Sequence, residues 1–358
     1  MDRVVYLAAT TTRLPHLFDP DEAIDFLYPT TIAEGKINRL AKKAAKGIGI
    51  KHRASILDPA RYPVHAIARE EYHPVAWCRS MIEEFMVIVP AERIGFLSVA
   101  YNISSDPNVL PSVAARVAKA MNLHLDYPAE ERAFYGCAGS LFSLESAVRY
   151  CRTAERAAVV CTFDQCSWIA NPVHDMSRSD FKDHLRTSLL FGDGAAAMLL
   201  IPGSMRSVVR SPALRILDVV CDFVPGDSIH MKDGFLVLGE ELKDEMPHII
   251  SERVLKPMLA RNGLSVAEIE EWAIHQGGMP IVTKFAEADT LGLNERQMAR
   301  SIEFFNLYGN FSAPSCLFVL DSFFREDAAG KQGRKGMIVS FGAGYYMSAA
   351  LYEWDLHG

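Results

Sequence analysis

Cys137 is the residue whose setting points most directly to covalent chemistry. It follows Gly136, closes a short strand-like run over residues 133–135, and precedes an amphipathic stretch over residues 138–153. A cysteine at the start of a helix lies among unpaired backbone N–H groups at the positive end of the helix dipole, which favour the thiolate over the thiol. Gly136 permits a sharp turn, and the small Ala138 leaves room for a substrate beside the sulfur. The pattern predicts a nucleophile.

The other six cysteines lack this setting. We interpret them as packing residues, because a free cysteine usually behaves as a small buried hydrophobe. Cys161 and Cys166 have neither the spacing of a zinc knuckle nor a second pair of ligands, so we expect no metal site. The six are Cys78, Cys151, Cys161, Cys166, Cys221 and Cys316.

His275 and Asn310 are the candidate partners of this nucleophile. His275 comes directly after an apolar run over residues 272–274 and is followed by Gln276 and two glycines, so its imidazole should emerge at the carboxyl end of a strand. That edge of a parallel α/β sheet is where active sites gather. Asn310 lies in a turn after Gly309, and Ser312 is a candidate N-cap of the following helix. Taken alone, His275 could instead be a structural histidine, and Asn310 could serve only the geometry of its turn.

Two glycine-bearing turns lie next to apolar strands. One is Phe191-Gly192-Asp193-Gly194-Ala195, and the other is Phe341-Gly342-Ala343-Gly344-Tyr345. Neither has the Gly-Lys-Ser/Thr of a phosphate loop or the spaced glycines of a dinucleotide fold. The second turn, placed beside Cys137, could present a backbone N–H to a developing oxyanion.

These residues need a scaffold that brings distant segments together. Strand-like apolar runs alternate with helical patterns, and several runs are continuously apolar, as in strands covered on both faces. The alternation predicts an α/β fold. We predict strands at residues 4–9, 94–101, 157–163, 195–201, 216–224, 272–275, 337–341 and 345–354, and helices at residues 109–121, 141–151, 242–262 and 281–291.

The chain is long enough for two similar halves. Its 358 residues are 49% hydrophobic and 23% charged, which allows a large core. The stretch 202–212 is rich in Ser, Gly and Pro, and we place an N-terminal half at residues 1–204 and a C-terminal half at residues 205–358. A site assembled between the halves would take Cys137 from the first and the other two candidates from the second.

Charge and cysteine content narrow the range of partners. A net charge of -7 argues against a nucleic-acid-binding protein. Residues 36–53 carry seven Lys and Arg side chains and no acid; this segment could meet a phosphate or an acidic partner, or form a solvated helix face. Seven cysteines, no secretory leader and no apolar run of membrane-spanning length predict a cytoplasmic protein without disulfides or membrane contact.

Taken together, the motifs resemble those of the thiolase superfamily, and within it the β-ketoacyl-acyl-carrier-protein synthase III type of condensing enzyme. The resemblance implies a thiolase-like duplicated five-layer αβαβα fold, usually found as a homodimer. The matching segments stand in the family's order: Gly136-Cys137-Ala138-Gly139, Phe191-Gly192-Asp193-Gly194-Ala195, His275-Gln276, Tyr308-Gly309-Asn310-Phe311-Ser312-Ala313 and Phe341-Gly342-Ala343-Gly344.

The resemblance also implies an acyltransferase. Cys137 would take an acyl group from a thioester, and the oxyanion would be held by the N–H groups of Cys137 and Ala343. His275 and Asn310 would stabilise the enolate of a malonyl-type or β-ketoacyl thioester, giving a β-keto product. No cofactor is implied to be tightly bound, because the substrates would arrive on coenzyme A or acyl carrier protein. The candidate substrate-binding residues are Phe191, Phe142, Met279 and Gly342.

Some segments depart from the housekeeping members of the family. Gln276-Gly277-Gly278-Met279-Pro280 stands where those synthases commonly have Gln-Ala-Asn-x-Arg, so the arginine that faces the carrier is missing. A tryptophan expected near the adenine of coenzyme A is not evident in the N-terminal segment, and residues 58–89 form a longer stretch than the simple enzymes need. We therefore expect a specialised relative serving polyketide or other secondary metabolism.

Three other functions remain open. The order Cys, His, Asn also occurs in papain-like cysteine proteases, but their signature around the cysteine is absent here. Acyl transfer from Cys137 to an alcohol, amine or thiol, or thioester hydrolysis, would keep the fold without forming a carbon-carbon bond. A non-catalytic subunit paired with an active homologue is disfavoured, because Cys137, His275 and Asn310 are all present.

Overall fold

The structure is a computed structural model that describes residues 3–170, 172–232, 235–239 and 241–356. Its strands in chain order are β1 (Val5–Arg13), β2 (His16–Phe18), β3 (Arg53–Ser55), β4 (Ile94–Tyr101), β5 (Glu130–Ala133), β6 (Ala157–Gln165), β7 (Asp193–Pro202), β8 (Ala213–Phe223), β9 (Ile229–Lys232), β10 (Phe235–Leu238), β11 (Glu271–Ile274), β12 (Lys335–Gly342) and β13 (Tyr346–Asp355). Its α-helices are α1 (Pro20–Leu27), α2 (Lys36–Ile48), α3 (Pro74–Met86), α4 (Val113–Ala120), α5 (Gly139–Thr153), α6 (Phe181–Leu190), α7 (Leu242–Ile250), α8 (Lys256–Arg261), α9 (Met279–Lys284), α10 (Glu295–Tyr308) and α11 (Ser315–Arg325).

Nine of the strands form one mixed sheet in the order β11-β12-β13-β8-β1-β7-β6-β4-β5. β1 lies at the centre and is antiparallel to both neighbours, with Val5 opposite Pro202 on β7 and Leu7 opposite Leu214 on β8. Strands of the predicted N-terminal half therefore occupy one side of this seam, and strands of the predicted C-terminal half occupy the other. The boundary at residue 204 falls in the 3-10 turn Gly203–Met205 and stays a prediction.

Helices cover the sheet in layers. The apolar faces of α5 and α11 pack together with strands from both halves in one core. A second core joins α3 and α4 to β4, β6 and β7, and a third joins α7 and α8 to β11, β12 and β13. Helices α5 and α11 thus lie between the two halves of the continuous sheet, with α3 and α4 outside one half and α7 and α8 outside the other. This confirms the thiolase-like αβαβα layering expected from the motifs.

The predicted helix over residues 281–291 is wrong beyond Lys284, where α9 ends, and the other predicted helices differ from the observed ones mainly at their ends. Helix α4 begins only at Val113, because Ser112 is its N-cap and its Oγ accepts a hydrogen bond from the Ala115 N–H at 3.2 Å. The stretch 242–262 is helical throughout, but a π-helical turn at Ser251–Leu255 separates α7 from α8. This irregularity follows Pro247, which lies inside α7 and has no N–H to donate.

Candidate active site

Cys137 lies in a single 3-10 turn, Gly136–Ala138, between β5 and α5. The chain enters this turn through two left-handed residues, Phe134 at φ 67° and Gly136 at φ 55°. The Asn102 side chain steadies the turn, since its Nδ2 donates to the Gly136 carbonyl at 3.0 Å. The sequence therefore places the sulfur just before the first turn of α5.

The protonation state of Cys137 departs from the expectation of a favoured thiolate. Burial raises the pKa of the thiol to about 12, and the Ser312 hydroxyl, whose Oγ lies 3.5 Å from Sγ, only partly opposes this rise. The loss of water around the sulfur outweighs the attraction of the helix N-terminus in the unliganded chain. The expected lowering of the Cys137 pKa is therefore wrong, and Cys137 is a thiol near pH 7.

His275 follows β11 directly, and its N–H donates to the Val339 carbonyl of β12 at 2.8 Å. The ring is buried and lies edge-on to Phe341, with 5.4 Å between the centroids. Burial lowers the pKa of His275 to about 3, so the imidazole is neutral near pH 7.

The tautomer of His275 follows from its surroundings. Among the described residues, none forms a hydrogen bond with its buried Nδ1. Because a buried donor without a partner is rarer than a buried acceptor without one, we assign the proton to Nε2, beside Gly277. The ring can then donate one hydrogen bond without carrying a positive charge.

Asn310 lies between α10 and α11 and is fixed by its backbone. Its N–H donates to the Leu190 carbonyl at 3.1 Å, and its carbonyl accepts from the Gly192 N–H at 2.9 Å. The side-chain Oδ1 accepts from the Ser312 N–H at 2.7 Å and the Ser315 hydroxyl at 3.3 Å. These contacts leave the amide NH2 of Asn310 as the donor available to a substrate.

Ser312 does not cap α11 as predicted. Helix α11 begins at Ser315 after Pro314, and no side chain caps it. Ser312 instead adopts a left-handed backbone with φ 60° and turns its hydroxyl toward Cys137. The Asn310 side chain holds this conformation, because its Oδ1 accepts from the Ser312 N–H.

Asp164, at the end of β6, links the cysteine and asparagine segments. Its buried carboxylate accepts from the Asn102 backbone N–H at 2.7 Å and from Asn102 Nδ2 at 2.9 Å. It also accepts from the Ile103 and Ala313 N–H groups at 2.7 and 3.0 Å. Sequence reasoning missed this residue, although a carboxylate that ends an apolar strand run was a signal.

Two glycines bring the peptides of Cys137 and Ala343 together. A Cβ on Gly136 would lie 2.5 Å from the Ala343 nitrogen, and a Cβ on Gly342 would lie 2.2 Å from the Cys137 nitrogen. Neither position has room for a side chain, so the two N–H groups can lie side by side. The close approach of the two peptides makes their N–H groups candidate donors to an oxyanion.

A cavity of about 320 Å³ joins these groups. Cys137, His275 and Asn310 all line it, although they come from three separate segments of the chain. Ala343 and Gly342 line it as well, next to the sulfur. The structure thus brings together the three side chains that the sequence singled out.

The candidate substrate-binding residues divide into two groups. Phe191 and Gly342 line the cavity. Phe142 and Met279 are not among its lining residues, and a role for them in substrate binding stays a prediction. Phe142 points from α5 into an aromatic cluster with Tyr135 and Tyr346, and Met279 packs behind the wall against the cluster that contains Phe191.

The remaining walls come from residues that sequence reasoning did not single out. The hairpin formed by β9 and β10 contributes side chains, and so do α6 and the start of α7. Cys166, interpreted from sequence as a packing residue, is buried and also reaches the cavity. The apolar members of these walls include Ile103, Ile169, Ile229, Met231, Leu236, Leu238, Leu242 and Ile281.

The glycine turn after α6 supports the site from outside. Asp193 is buried and accepts from the Ser167 N–H at 2.7 Å, and burial raises its pKa to about 6. A Cβ on Gly192 or Gly194 would lie 3.1 Å from ring carbons of Phe311, which is tighter than usual contact. The turn therefore lets Phe311 pack closely and fixes the chain next to Asn310.

The basic segment 36–53 forms mainly a solvated helix face. Lys42 lies 2.8 Å from Asp25, and Lys36 lies 3.6 Å from Glu34. Arg53 is buried. The potential of the segment 36–53 to bind a phosphate or an acidic partner stays a prediction.

No helix in the described part of the chain combines the length and the apolar character needed to cross a membrane.

Comparison with known proteins places the chain in a family. The family model for 3-oxoacyl-[acyl-carrier-protein] synthase III matches residues 134–215, and the model for its C-terminal part matches residues 259–354. A β-ketoacyl-[acyl-carrier-protein] synthase III of Coxiella burnetii is 30% identical over 68% of this chain and 72% of that protein.

Polyketide synthases are also among the relatives. An alpha-pyrone synthesis polyketide synthase-like protein of Mycobacterium tuberculosis is 30% identical over 74% of this chain. The chain spans 66% of the length of that relative. A putative chalcone synthase of Bacillus subtilis is 24% identical over 78% of this chain and 75% of that protein.

The solved structure of PKS-I from the brown alga Ectocarpus siliculosus has the same fold, with a TM-score of 0.78 at 20% identity over 99% of both chains. The matched segments 134–215 and 259–354 contain the candidate nucleophile and both of its partners. The chain belongs to the 3-oxoacyl-[acyl-carrier-protein] synthase III family of condensing enzymes, within the thiolase superfamily.

Proposed function

We propose that this protein forms an acyl-cysteine on Cys137 from an acyl thioester and condenses it with a malonyl-type or β-ketoacyl thioester to give a β-keto product. One observation carries the proposal: Cys137, His275 and Asn310 line a single cavity, and the backbone of Ala343 lines it too. A nucleophile, two neutral donors and an oxyanion site are the groups that this reaction uses.

In the first step, Cys137 Sγ attacks the thioester carbonyl. The oxyanion of the tetrahedral intermediate accepts hydrogen bonds from the Cys137 and Ala343 N–H groups. Collapse of the intermediate breaks the carbon-sulfur bond to the carrier, and the proton from Sγ leaves with the carrier thiol. The net reaction is a transthioesterification, so it needs no oxidant and no metal.

In the second step, the malonyl-type partner loses carbon dioxide and becomes an enolate. The Nε2–H of His275 and the amide of Asn310 donate hydrogen bonds to the enolate oxygen. Because the pKa of His275 is lowered to about 3, these donors stabilise the enolate without a full positive charge beside it. The enolate carbon then attacks the acyl-cysteine carbonyl, and the Cys137 thiolate departs.

The walls of the cavity suit an acyl chain. They are dominated by aliphatic and aromatic side chains, whereas the polar groups are concentrated at the reacting centre. We propose a polyketide-type product, in line with the names of several relatives, and delivery of both substrates by coenzyme A or acyl carrier protein.

The test is intact-protein mass spectrometry after incubation with acyl-coenzyme A thioesters of increasing chain length. We expect a mass increase of one acyl group on the wild-type chain and none on Cys137→Ala. Addition of malonyl-coenzyme A should discharge the acyl group and release a product with a new carbon-carbon bond, detected with ¹³C-labelled malonyl units.

Two outcomes would contradict the proposal. If Cys137 stays unmodified with every acyl thioester tested, including those carried on acyl carrier protein, no acyl-enzyme forms and the proposal is wrong. If the acyl group on Cys137 is transferred only to water, alcohols or amines, the protein catalyses simple acyl transfer or hydrolysis and not condensation.

We also propose that the protein acts as a homodimer in the cytoplasm. Val109 at 76%, Leu110 at 85% and Phe134 at 73% are among the large apolar side chains exposed on the single chain. Exposed apolar surface of this kind is typical of contact sites between proteins. Sedimentation velocity should give twice the mass of the chain, and a monomer at micromolar concentration would contradict the proposal.

A further inference from the structure

The hairpin of β9 and β10 forms one wall of the active-site cavity and is held from two sides. On the first side, α6 binds its second strand through side chains. Thr187 Oγ1 donates to the Leu236 carbonyl at 2.9 Å, and Arg186 Nη2 donates to the Leu238 carbonyl at 2.5 Å. Two side-chain hydrogen bonds thus attach β10 to α6.

On the second side, the hairpin meets Tyr345. The Tyr345 hydroxyl lies 2.8 Å from Ser228 Oγ and 2.8 Å from Glu245 Oε2. Ser228 directly precedes β9, and its carbonyl accepts from the Gly239 N–H at 2.6 Å across the base of the hairpin. Glu245 lies on α7, whose Leu242 lines the cavity. One hydroxyl thus joins the hairpin to α7.

The backbone of Tyr345 belongs to the oxyanion turn. It stands two residues after Ala343, and its φ of 53° is unfavourable for a bulky residue. Its carbonyl accepts from the Val224 N–H at 3.3 Å. A Cβ on Gly226 would lie 2.6 Å from Tyr345 Cδ2, so only glycine lets the ring lie against that segment. The surroundings hold Tyr345 in this conformation from several directions.

We propose that Tyr345 is a positioning residue that couples the oxyanion turn to the cavity hairpin. The geometry joins the N–H donor at Ala343, the hairpin and α7 through one side chain. This inference rests on the proposed function, because it assigns a second determinant to the same site. The hairpin sets the space available to the growing acyl chain, and the turn sets the position of the carbonyl oxygen.

Coupling has two consequences for the reaction. Release of the hairpin enlarges the space at the chain end, so longer products form. Displacement of the Ala343 N–H weakens oxyanion binding, so acylation slows with little change in KM. Both effects should arise from loss of the hydroxyl alone, since the ring packing is retained in Tyr345→Phe.

The experiment compares Tyr345→Phe with the matched control Tyr150→Phe. Tyr150 also donates to a carboxylate, that of Asp126, but lies near the C-terminal end of α5, away from Cys137. Hydrogen exchange of residues 229–238 should be faster in Tyr345→Phe by on the order of tenfold, the loss of about one hydrogen bond, and unchanged in the control. Single-turnover acylation should slow by about tenfold in Tyr345→Phe alone, and its products should include longer chains.

A second variant, Ser228→Ala, removes the hairpin partner and leaves Tyr345 in place. We expect it to reproduce the faster exchange and the longer products with a smaller effect on acylation. Equal exchange, acylation and product length in wild type and both variants would overturn the coupling. A wild-type chain that never becomes acylated would instead contradict the proposed function, and the exchange measurement would still test the contact.

Discussion

A Cβ on Gly342 would lie 2.2 Å from the backbone nitrogen of Cys137. The nucleophile and the last glycine turn are therefore in contact through backbone atoms, with no room for a side chain between them. Since both N–H donors of the proposed oxyanion hole depend on this contact, it can be tested separately from the reacting side chains.

Gly342→Ala should abolish most acylation. The added methyl group must push the Cys137 and Ala343 peptides apart, and loss of one oxyanion donor costs on the order of 100-fold in rate. Stopped-flow or quenched-flow acylation followed by mass spectrometry measures this step. The matched control is Gly47→Ala, because no described atom outside its own stretch of helix lies within 4 Å of its Cβ position; unchanged acylation in both variants would contradict the role of the contact.

His275→Ala should impair condensation more than acylation. The neutral imidazole donates to the enolate in the second step, whereas the first step uses the two backbone N–H groups. We expect a loss on the order of 100-fold in carbon-carbon bond formation and a much smaller change in acyl-enzyme formation. Radiolabelled acyl transfer and product release are measured in the same samples, and equal losses in both steps would refute the division of roles.

Alkylation of Cys137 should accelerate with pH well beyond the range of an ordinary cysteine. The pKa of the thiol is raised to about 12 by burial, so the thiolate fraction increases about tenfold per pH unit throughout pH 7 to 10. Peptide mapping after brief treatment with chloroacetamide gives the rate at each pH. Ser312→Ala should react more slowly than wild type at every pH, because the Ser312 hydroxyl lowers the pKa.

A rate that levels off below pH 9 would show a thiolate already present in the resting enzyme. The raised pKa would then be wrong, and activation of Cys137 would precede substrate binding.

Asp164→Asn should destabilise the fold. The carboxylate accepts hydrogen bonds from the Asn102, Ile103 and Ala313 backbones, and an amide NH2 would face some of these donors. We expect a loss of roughly 3 kcal/mol in the free energy of unfolding, measured by urea denaturation. Asp175→Asn, at an exposed turn, should leave it nearly unchanged; similar values for both variants would contradict a structural role for Asp164.

The sequence predicted the main strands of the sheet well. The run 94–101 coincides with β4, because it is continuously apolar and ends at the polar Asn102. The thiolase-like layers were implied by the resemblance of the motifs to one family, and the three side chains that those motifs contain line one cavity in the structure. Strand patterns and motifs are local in the chain, so a single sequence carries them.

Features that depend on distant segments were not predicted. The pKa of Cys137 depends on how completely the fold removes water from the sulfur, and the local helix start suggested the opposite direction. Phe142 was a candidate for the cavity wall, and in the structure its ring contacts those of Tyr135 and Tyr346. The hairpin of β9 and β10 is short and its strands were not recognised by pattern.

The pairing of β1 with both β7 and β8 has a consequence for how the chain comes apart. Tyr6 and Leu7 of β1 pair with residues of β7 and of β8 that lie more than 190 positions further along the chain. Neither half therefore has a complete sheet without this one strand. We expect heat to melt the molecule in a single transition. The two halves predicted on either side of residue 204 would then unfold together, as one cooperative unit.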